Sequence, residues 1–484
     1  MKHRTTMGWL AVGMGLMFLM AGPAEANNIR VANVALQNQN TDAKTADVVF
    51  DLAWSNSWRG ADNWDAAWVF VKFRAPGSNN WQHATLSTNS SDHKPAANGT
   101  ITAVPDGKGA FVYRASGYTG SVNYVQTKLR WNYGTNGYNF AKGELVEVSV
   151  HAIEMVYIPA GPFYLGSGGA ESGHFYAPDG TAQTTNAFLV SSENAITVAN
   201  SSGNLYYVNV GGNVGDGSGT ISNGFPKGYA AFYCMKYEVS QGQYADFLNK
   251  LTAAQDATRY PNYSDYRYTI GGTTTNRSAS APDRACNYLS WADGIAYADW
   301  AALRPMTELE FEKACRGPAQ PVVNEYAWGT TAITNLATPE TGTLGSGTET
   351  PNPATANCCY GNVMGGPTRV GIFATATSGR QGAGAGYYGV MELSGNLWER
   401  PVTVGNVAGR TFQGTMGDGV LDPNGNPTGN PDWPNYSTAS GAGLRGGTWK
   451  DTTDYLRSSD RFYAAYTSEF RISTFGSRAV RLAP

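Results

Sequence analysis

The side chains capable of covalent, redox or acid–base chemistry are few and unevenly placed. The chain of 484 residues holds five histidines and five cysteines. Imidazole and thiolate are common ligands of iron, copper and zinc. No histidine follows His174, so a histidine-bound iron centre is not expected in the C-terminal part. An odd number of cysteines leaves at least one thiol unpaired within the chain. The cysteines are Cys234, Cys286, Cys315, Cys358 and Cys359.

Two polar clusters resemble parts of catalytic sites. Glu308, Glu310 and Glu312 follow one another on a predicted helix, where a spacing of two residues puts neighbours on different faces. A helix cap with a solvated face is the favoured interpretation of this run. The segment 458–461 (SSDR) contains serines, but no nearby histidine could activate them, so hydrolysis is not indicated. The glycine-rich run 382–386 lacks the strand–turn–helix context of a phosphate-binding loop.

Composition and the N-terminal segment indicate an exported protein. Charged residues make up 15% and the formal net charge is −3, so nucleic acid is not an expected partner. Residues 1–26 have the pattern of a signal peptide: a basic start, an apolar run over 7–20, and an A-x-A site ending at Ala26. The run is short for a membrane-spanning helix. The sequence predicts a secreted, extracellular or periplasmic protein without a transmembrane segment, with association at the cell surface left open.

Short β-prone runs fill residues 27–152. Gly, Asn, Ser and Pro clusters separate them, and the pattern predicts an immunoglobulin- or fibronectin-like β-sandwich. Four tryptophans, Trp54, Trp58, Trp64 and Trp68, could form a sugar-stacking surface, although packing in the core and at its edges is the favoured interpretation. The runs cover 28–37, 46–54, 67–74, 110–114, 124–131 and 144–151.

A second domain is predicted over residues 153–484. Helical patterns there alternate with long loops rich in Gly, Ser and Thr. Capping residues place helix starts at Ser240, near Ser290 and at Thr307, and the third helix is expected to end before Gly317. Together the two regions predict an α+β fold, in which an all-β sandwich precedes a loop-rich domain.

Six motifs of this second domain resemble those of formylglycine-generating enzymes, also called sulfatase-modifying factors, and occur in the same order. The resemblance does not extend to residues 27–152. It implies a C-type-lectin-like fold with two small sheets and long ordered loops. The motifs are 155–167 (MVYIPAGPFYLGS), 237–244 (YEVSQGQY), 289–293 with 304–312 (LSWAD and RPMTELEFE), 326–329 (YAWG), 394–399 (SGNLWE), and 444–449 (LRGGTW) followed by Arg457, Arg461 and Arg478.

The resemblance also implies a copper(I) site made by two cysteines that follow the RGG motif. Counted without gaps from Arg445, those places hold Asp451 and Leu456, and no cysteine follows Cys359. Neither residue supplies a thiolate, so the family's oxidase chemistry is not expected, and neither copper nor iron is an expected cofactor. The resemblance further implies that Cys315 has lost its usual disulfide partner. A bridge to another cysteine and a free buried thiol are both left open.

Structural calcium is the part of the family pattern that this sequence keeps. The resemblance implies one or two Ca²⁺ ions held by side-chain and backbone oxygens, as that hard cation requires. The second site is the weaker one, because Asn362 stands where the family often has Asp. For the first site, the alternative is that Glu399 only caps a loop. The first ligand set is Glu392, Gly395, Leu397 and Glu399, and the second is Asn357, Cys358, Asn362 and Met364.

The closing region of the chain is a ligand-binding surface in lectin-like relatives. Aromatic residues and Arg dominate recognition surfaces, which favours contact residues there. For Trp449 and Arg457, core packing and loop bracing are equally open. The predicted ligand-binding residues are Trp449, Asp451, Tyr455, Arg457, Asp460, Phe462 and Tyr463, with Tyr466 beside them.

Three functions remain open at this stage. The favoured one is an exported, non-catalytic, calcium-stabilised binding or structural protein that takes a protein, peptide or glycan ligand. It could also self-associate into a surface filament through the edge strand 28–37. The alternative is a metal-dependent oxidase with non-standard ligands. A third option is a peptide binder that has kept substrate binding and lost oxidation.

Overall fold

The computed structural model describes residues 29–337, 340–375 and 377–484. The predicted signal peptide, residues 1–26, lies outside this part of the chain. Strands far outnumber helices along the described chain, which confirms the α+β class. None of the helices that the structure describes is long and apolar enough to cross a bilayer.

Eight strands make up the N-terminal part, two more than the sequence predicts. The strands β4 and β5 were not predicted, and β8 runs seven residues beyond the predicted end. In chain order the strands are β1 (Arg30–Asn40), β2 (Thr45–Trp58), β3 (Asp65–Arg74), β4 (Gln82–His83), β5 (Gly99–Ala103), β6 (Ala110–Arg114), β7 (Thr119–Trp131) and β8 (Glu147–Ile158).

Strand β3 explains how the sandwich is joined to the rest of the molecule. One sheet has the order β1-β2-β7, and β3 belongs to the sheet that faces it. Alternate side chains of a strand point to opposite faces. Val69 and Val71 of β3 pack in the sandwich core, whereas Trp68 and Phe70 pack in the core of the second domain. A strand covered on both faces reads as a continuous apolar run, which accounts for the sequence WVFVKF.

The remaining elements are short and separated by long loops. The strands are β9 (Phe163–Leu165), β10 (Phe175–Tyr176), β11 (Phe188–Val190), β12 (Ile196–Val198), β13 (Tyr206–Tyr207), β14 (Gly219–Ile221), β15 (Phe232–Met235), β16 (Ile270–Thr273), β17 (Asn276–Ala279), β18 (Arg304–Pro305) and β19 (Ala479–Leu482). The helices are α1 (Gln241–Leu248), α2 (Ala253–Arg259), α3 (Trp291–Trp300), α4 (Glu308–Arg316) and α5 (Val407–Arg410).

Strand β8 ties the two predicted domains into one sheet of order β18-β19-β15-β8-β3-β6-β5. It pairs with β3 from Glu147 to Val156 and with β15 from Met155 to Ile158. The predicted boundary between residues 152 and 153 therefore lies inside a strand. The sheet continues across that boundary through backbone hydrogen bonds.

Helix starts agree with the capping residues. Ser240, Ser290 and Thr307 each form a capping box with the residue three positions later. Gly317 ends α4 with a φ of 62°, a left-handed conformation that glycine adopts without steric cost. These predictions are confirmed, because capping depends on residues a few positions apart.

Among the strands that the structure describes, the edge strand β1 pairs only with β2, and its ladder is interrupted twice. Register shifts occur between Ala32 and Ala35 and between Gln37 and Asn40. Such bulges twist an edge and hinder pairing with another sheet. Of the four N-terminal tryptophans, Trp54 and Trp68 are fully buried, and Trp58 and Trp64 are half-buried. Core and edge packing therefore describes their positions.

Candidate functional site

Two positions that hold cysteines in the family hold Asp451 and Leu456 in this chain. Asp451 lies just before a short 3-10 helix, Thr453–Leu456, and Leu456 is its last residue. Leu456 is fully buried and packs in a cluster with Tyr326, Trp328 and Cys358. The Asp451 carboxylate accepts a hydrogen bond of 2.8 Å from the Thr448 hydroxyl. Burial raises the pKa of Asp451. An apolar side chain thus fills one of the two positions, and a hydrogen-bonded carboxyl group occupies the other.

All five cysteines are buried free thiols. Burial raises the pKa of Cys315 to about 12 and raises the pKa of Cys358 as well. The Cys358 Sγ donates a hydrogen bond of 3.1 Å to the carbonyl of Ser394. A buried thiol with a raised pKa is a poor nucleophile and a poor metal ligand at neutral pH. Of the two possibilities left open for Cys315, the structure shows the free buried thiol.

Three buried carboxylates, those of Glu238, Glu392 and Glu399, lie near the guanidinium of Arg478 behind the SGNLWE motif. Arg478 Nε lies 2.7 Å from Glu399, and the other guanidinium nitrogens donate to the carbonyls of Met235 and Met391. Glu238 accepts a hydrogen bond of 2.9 Å from the backbone N–H of Leu397. Sequence reasoning missed Glu238, although it belongs to the YEVSQGQY motif. Arg478 is the main positive charge acting on these three carboxylates, and Arg369 is a second, weaker one acting on Glu392.

The pKa values of these three carboxyl groups are all raised, because the nearby positive charge does not offset the effect of burial. Burial raises the pKa of Glu392 to about 7. Burial and the charge of Glu399 raise the pKa of Glu238. One carboxylate oxygen of Glu392 and one of Glu399 are buried without a hydrogen-bond partner. Glu392 also has a φ of 54°, which costs free energy in a residue with a Cβ. Both unpartnered oxygens suit a hard cation.

The second predicted ligand set is less suited to a cation. The Asn357 side-chain oxygen already accepts from the N–H of Thr334 at 2.8 Å, and the Cys358 carbonyl accepts from the N–H of Leu336. Asn362 is exposed, whereas Asn357 is buried. Over the residues that the structure describes, no group of three or more His, Cys, Asp or Glu is arranged to hold a metal ion. A cation near Glu392 would therefore rely on backbone carbonyls as well.

The predicted ligand-binding residues divide between the interior and the surface. Trp449 is fully buried, and its indole N–H donates to the Ser473 carbonyl at 3.2 Å. Asp460 is also buried, which raises its pKa to about 7. Arg457 pairs with Asp454 at 2.8 Å. Core packing therefore describes Trp449, and loop bracing describes Arg457.

Aromatic rings form the accessible part of the closing region. The Phe462 and Tyr463 ring centroids lie 4.7 Å apart, and Tyr455 lies 5.7 Å and 5.8 Å from these two rings. Tyr466 is 5.5 Å from Tyr463. This group, hereafter the aromatic patch (Tyr455, Phe462, Tyr463 and Tyr466), packs at its base on Trp398. Phe462 is 37% exposed, so its ring is available to a ligand.

A buried ion-pair network lies beneath the aromatic patch. Arg461 donates to both carboxylate oxygens of Glu308, at 2.7 Å and 3.0 Å. Arg445 bridges Glu308 and Glu312 at 3.2 Å and 2.8 Å. Glu310, the capping-box partner of Thr307, pairs with Arg304. The solvated-face interpretation of these glutamates was wrong, because Arg445 and Arg461, which cover Glu308 and Glu312, come from a distant part of the chain.

Comparison with known proteins agrees with this geometry. A family model described as "Sulfatase-modifying factor enzyme 1-like domain" matches residues 142–483. The match includes all of β8 and every motif of the second domain. No curated protein matches the sequence.

Proposed function

The chain belongs to the family of sulfatase-modifying factor enzyme 1-like domains, and from that premise we propose that it is an exported, non-catalytic, calcium-stabilised binding protein. Its ligand surface is the aromatic patch, and its ligand is a protein, peptide or glycan. Export follows from the signal-peptide pattern of residues 1–26.

The observation that carries this proposal is the packing of Leu456. A position that would need a thiolate for oxidation instead holds an aliphatic side chain, fully buried among aromatic rings. Thiolate is the ligand and nucleophile of the family's chemistry, and a leucine can replace it in neither role. The site has therefore become part of the hydrophobic packing beneath the closing region.

Calcium is proposed at the cluster of Glu392 and Glu399. Their unpartnered oxygens, with the carbonyls of Gly395 and Leu397, would supply a mixed carboxylate and carbonyl ligand set. A bound cation would offset the surplus of buried negative charge around Arg478. Its role would be to hold the loop 392–399, which supports Trp398 and through it the aromatic patch.

The aromatic patch has the properties of a recognition surface. Tyr and Phe rings bury a large area at low entropic cost, and the hydroxyl groups can hydrogen-bond. The ion pairs of Arg461 and Arg445 hold the backbone beneath these rings. A rigid surface of this kind binds with little loss of conformational entropy.

Ligand arrays test this proposal. Immobilised exported protein is exposed to peptide and glycan arrays, and the retained ligand is measured again with Tyr455→Ala and Phe462→Ala. We expect each substitution to weaken binding at least tenfold while the melting temperature changes little. Phe470→Ala is the matched control, since Phe470 is 65% exposed and has no ring contact with the patch. Equal binding by all three variants would exclude the patch as the ligand site.

A further inference from the structure

One edge of strand β8 has no partner along half of its length. Of β8, β15 reaches only Met155–Ile158, so within the described chain residues 147–153 pair with β3 on one side and with no strand on the other, although β1 passes close by. The N–H of Lys236 donates to the carbonyl of Glu154 on that second side. Because backbone groups alternate along a strand, the N–H and C=O groups of Val148, Val150 and Ala152 point to the same unoccupied side.

A cleft of about 870 Å³ runs along this open edge. Five consecutive residues of β8, 149–153, line the cleft. Consecutive residues of a strand line a cavity when its edge faces the cavity, since one face alone would contribute every second residue. The opposite wall comes from α1 and α3, with Asp246 and Trp300. The cleft lies outside the aromatic patch and spans both predicted domains.

The lining determines which ligand fits. Phe70 and Trp300 line the cleft beside the core of the second domain, while Ile29 and Val31 line it beside the sandwich core. Arg74 is bonded to both oxygens of Glu147, at 2.7 Å and 2.6 Å. Asp246 on α1 and Lys250 just after that helix carry opposite charges, so the charges of the lining balance. The cleft therefore suits a ligand without net charge that offers polar backbone groups to this mixed lining and some apolar side chains to Phe70, Trp300, Ile29 and Val31.

We propose that this cleft binds an extended peptide segment of another protein, which adds to the sheet as a strand beside β8. The unpaired backbone groups recur every second residue, about 7 Å apart, and this is the repeat of a neighbouring β-strand. Main-chain hydrogen bonds would hold the segment, and apolar side chains on both of its faces would meet the two sets of lining residues. A glycan offers no donors and acceptors at that repeat.

The source of the segment follows from the geometry. With the proposed cleavage after Ala26, two residues precede Ile29, too few to cover the open edge of β8. Residues of α1 stand across the cleft from that edge, so the geometry favours a single extended segment over the whole sheet of a second copy. A single extended segment from a different protein can enter.

Backbone-modified peptides test the proposal directly. The exported protein is screened against synthetic nonapeptides with apolar central residues, and the tightest binder is remade with N-methyl groups at odd or at even positions. We expect one series to bind at least tenfold more weakly and the other to bind unchanged, since only alternate N–H groups face β8. Hydrogen exchange at Val148, Val150 and Ala152 should slow at least tenfold with the unmodified peptide.

A proline variant provides the protein-side test. Ala152→Pro removes an N–H that faces the cleft and leaves the β3 ladder intact, and such edge positions tolerate proline. We expect it to fold and to lose peptide binding at least tenfold, whereas Ser149→Ala, which keeps the backbone, binds as before. If Ala152→Pro fails to fold, the N-methyl comparison decides.

Four results would overturn the proposal: no peptide binds, both N-methyl series bind equally, a neutral oligosaccharide protects the three amides, or self-association protects them.

Discussion

At the scale of single residues, the difference between Arg461 and Arg457 shows how much of the closing region is structural. Arg461 is fully buried, bonded to Glu308 and packed with its guanidinium carbon 3.9 Å from the ring centroid of Phe175. Arg457 pairs with the exposed Asp454. The two arginines are four positions apart, and only their surroundings distinguish them. The motif in the sequence could not assign their roles, because the partner Glu308 lies more than a hundred residues away.

Arg461→Ala should lower the free energy of unfolding by about 3–5 kcal/mol, because it leaves the buried Glu308 carboxylate with an incomplete set of partners. Arg457→Ala should lower it by less than about 1 kcal/mol, as expected of an ion pair whose acidic partner Asp454 is exposed to solvent. Chemical denaturation of both variants measures the difference. Equal losses would contradict the role given to the buried network.

The pKa of Glu392 leads to a second residue-scale prediction. Burial raises this pKa from 4.5 to about 7, so the folded protein binds the proton more tightly than the unfolded chain does. The stabilisation of the folded state by this bound proton is complete below pH 4.5 and is lost as the pH rises through 7. Without calcium, the free energy of unfolding should fall by up to about 3 kcal/mol over this range. Glu392→Gln should lack this loss.

Denaturation of both proteins in a calcium chelator between pH 4 and 8 measures this effect as the difference between wild type and variant. Excess calcium should restore stability at pH 8 in the wild type and have little effect on Glu392→Gln. A wild-type curve parallel to that of the variant in the chelator would refute the assignment.

At the scale of elements, local signals in the sequence were reliable and long-range ones were not. Capping boxes fixed the starts of α1, α3 and α4 because cap and partner lie three residues apart. Strand β5 (Gly99–Ala103) was not predicted, since its short sequence GTITA gains its burial only by pairing with β6. The carboxylates of α4 were assigned to a solvated face because Arg445 and Arg461, which pair with Glu308 and Glu312, come from a distant segment. Glu238 was missed for the same reason.

The loop 392–399 packs closely at Gly395, which leads to a prediction for this element. Gly395 has a φ of 85°, and a Cβ there would lie 2.6 Å from both the Cys358 Sγ and the Cys359 carbonyl. Gly395→Ala should therefore cost about 1–3 kcal/mol in stability through strain and displacement of the loop. Gly379→Ala is the matched control, since nothing lies within 4 Å of its added Cβ. Thermal unfolding compares the two, and equal melting temperatures would argue against a tightly packed loop.

At the scale of the whole molecule, the shared sheet makes the sandwich part of the second domain's structure. Strand β3 contributes side chains to two cores, and β8 pairs with strands from both parts. The sequence predicted a sandwich and a family domain separately, because each has its own pattern. The apolar run WVFVKF of β3 fits burial on both faces, but strand pairing between distant segments leaves no local signature that identifies the partner strands.

Removal of residues 27–140 should therefore prevent folding of the remainder. It would expose the β3-facing edge of β8 and the side of the second core covered by Trp68 and Phe70. We expect the intact protein to unfold in one calorimetric transition and the truncated chain to lack a cooperative transition. Two separate transitions in the intact protein would show instead that the parts are independent.

The central claim is that this family domain has lost its oxidase site and serves as a calcium-stabilised, non-catalytic binding protein. Elemental analysis of the purified protein, residues 27–484, by mass spectrometry after gentle dialysis tests this claim most directly. The account predicts about one calcium per chain, reduced at least tenfold in Glu399→Gln, with neither copper nor iron near stoichiometric amounts. Stoichiometric copper or iron, with oxygen consumption that depends on Asp451, Cys358 or Cys359, would contradict it.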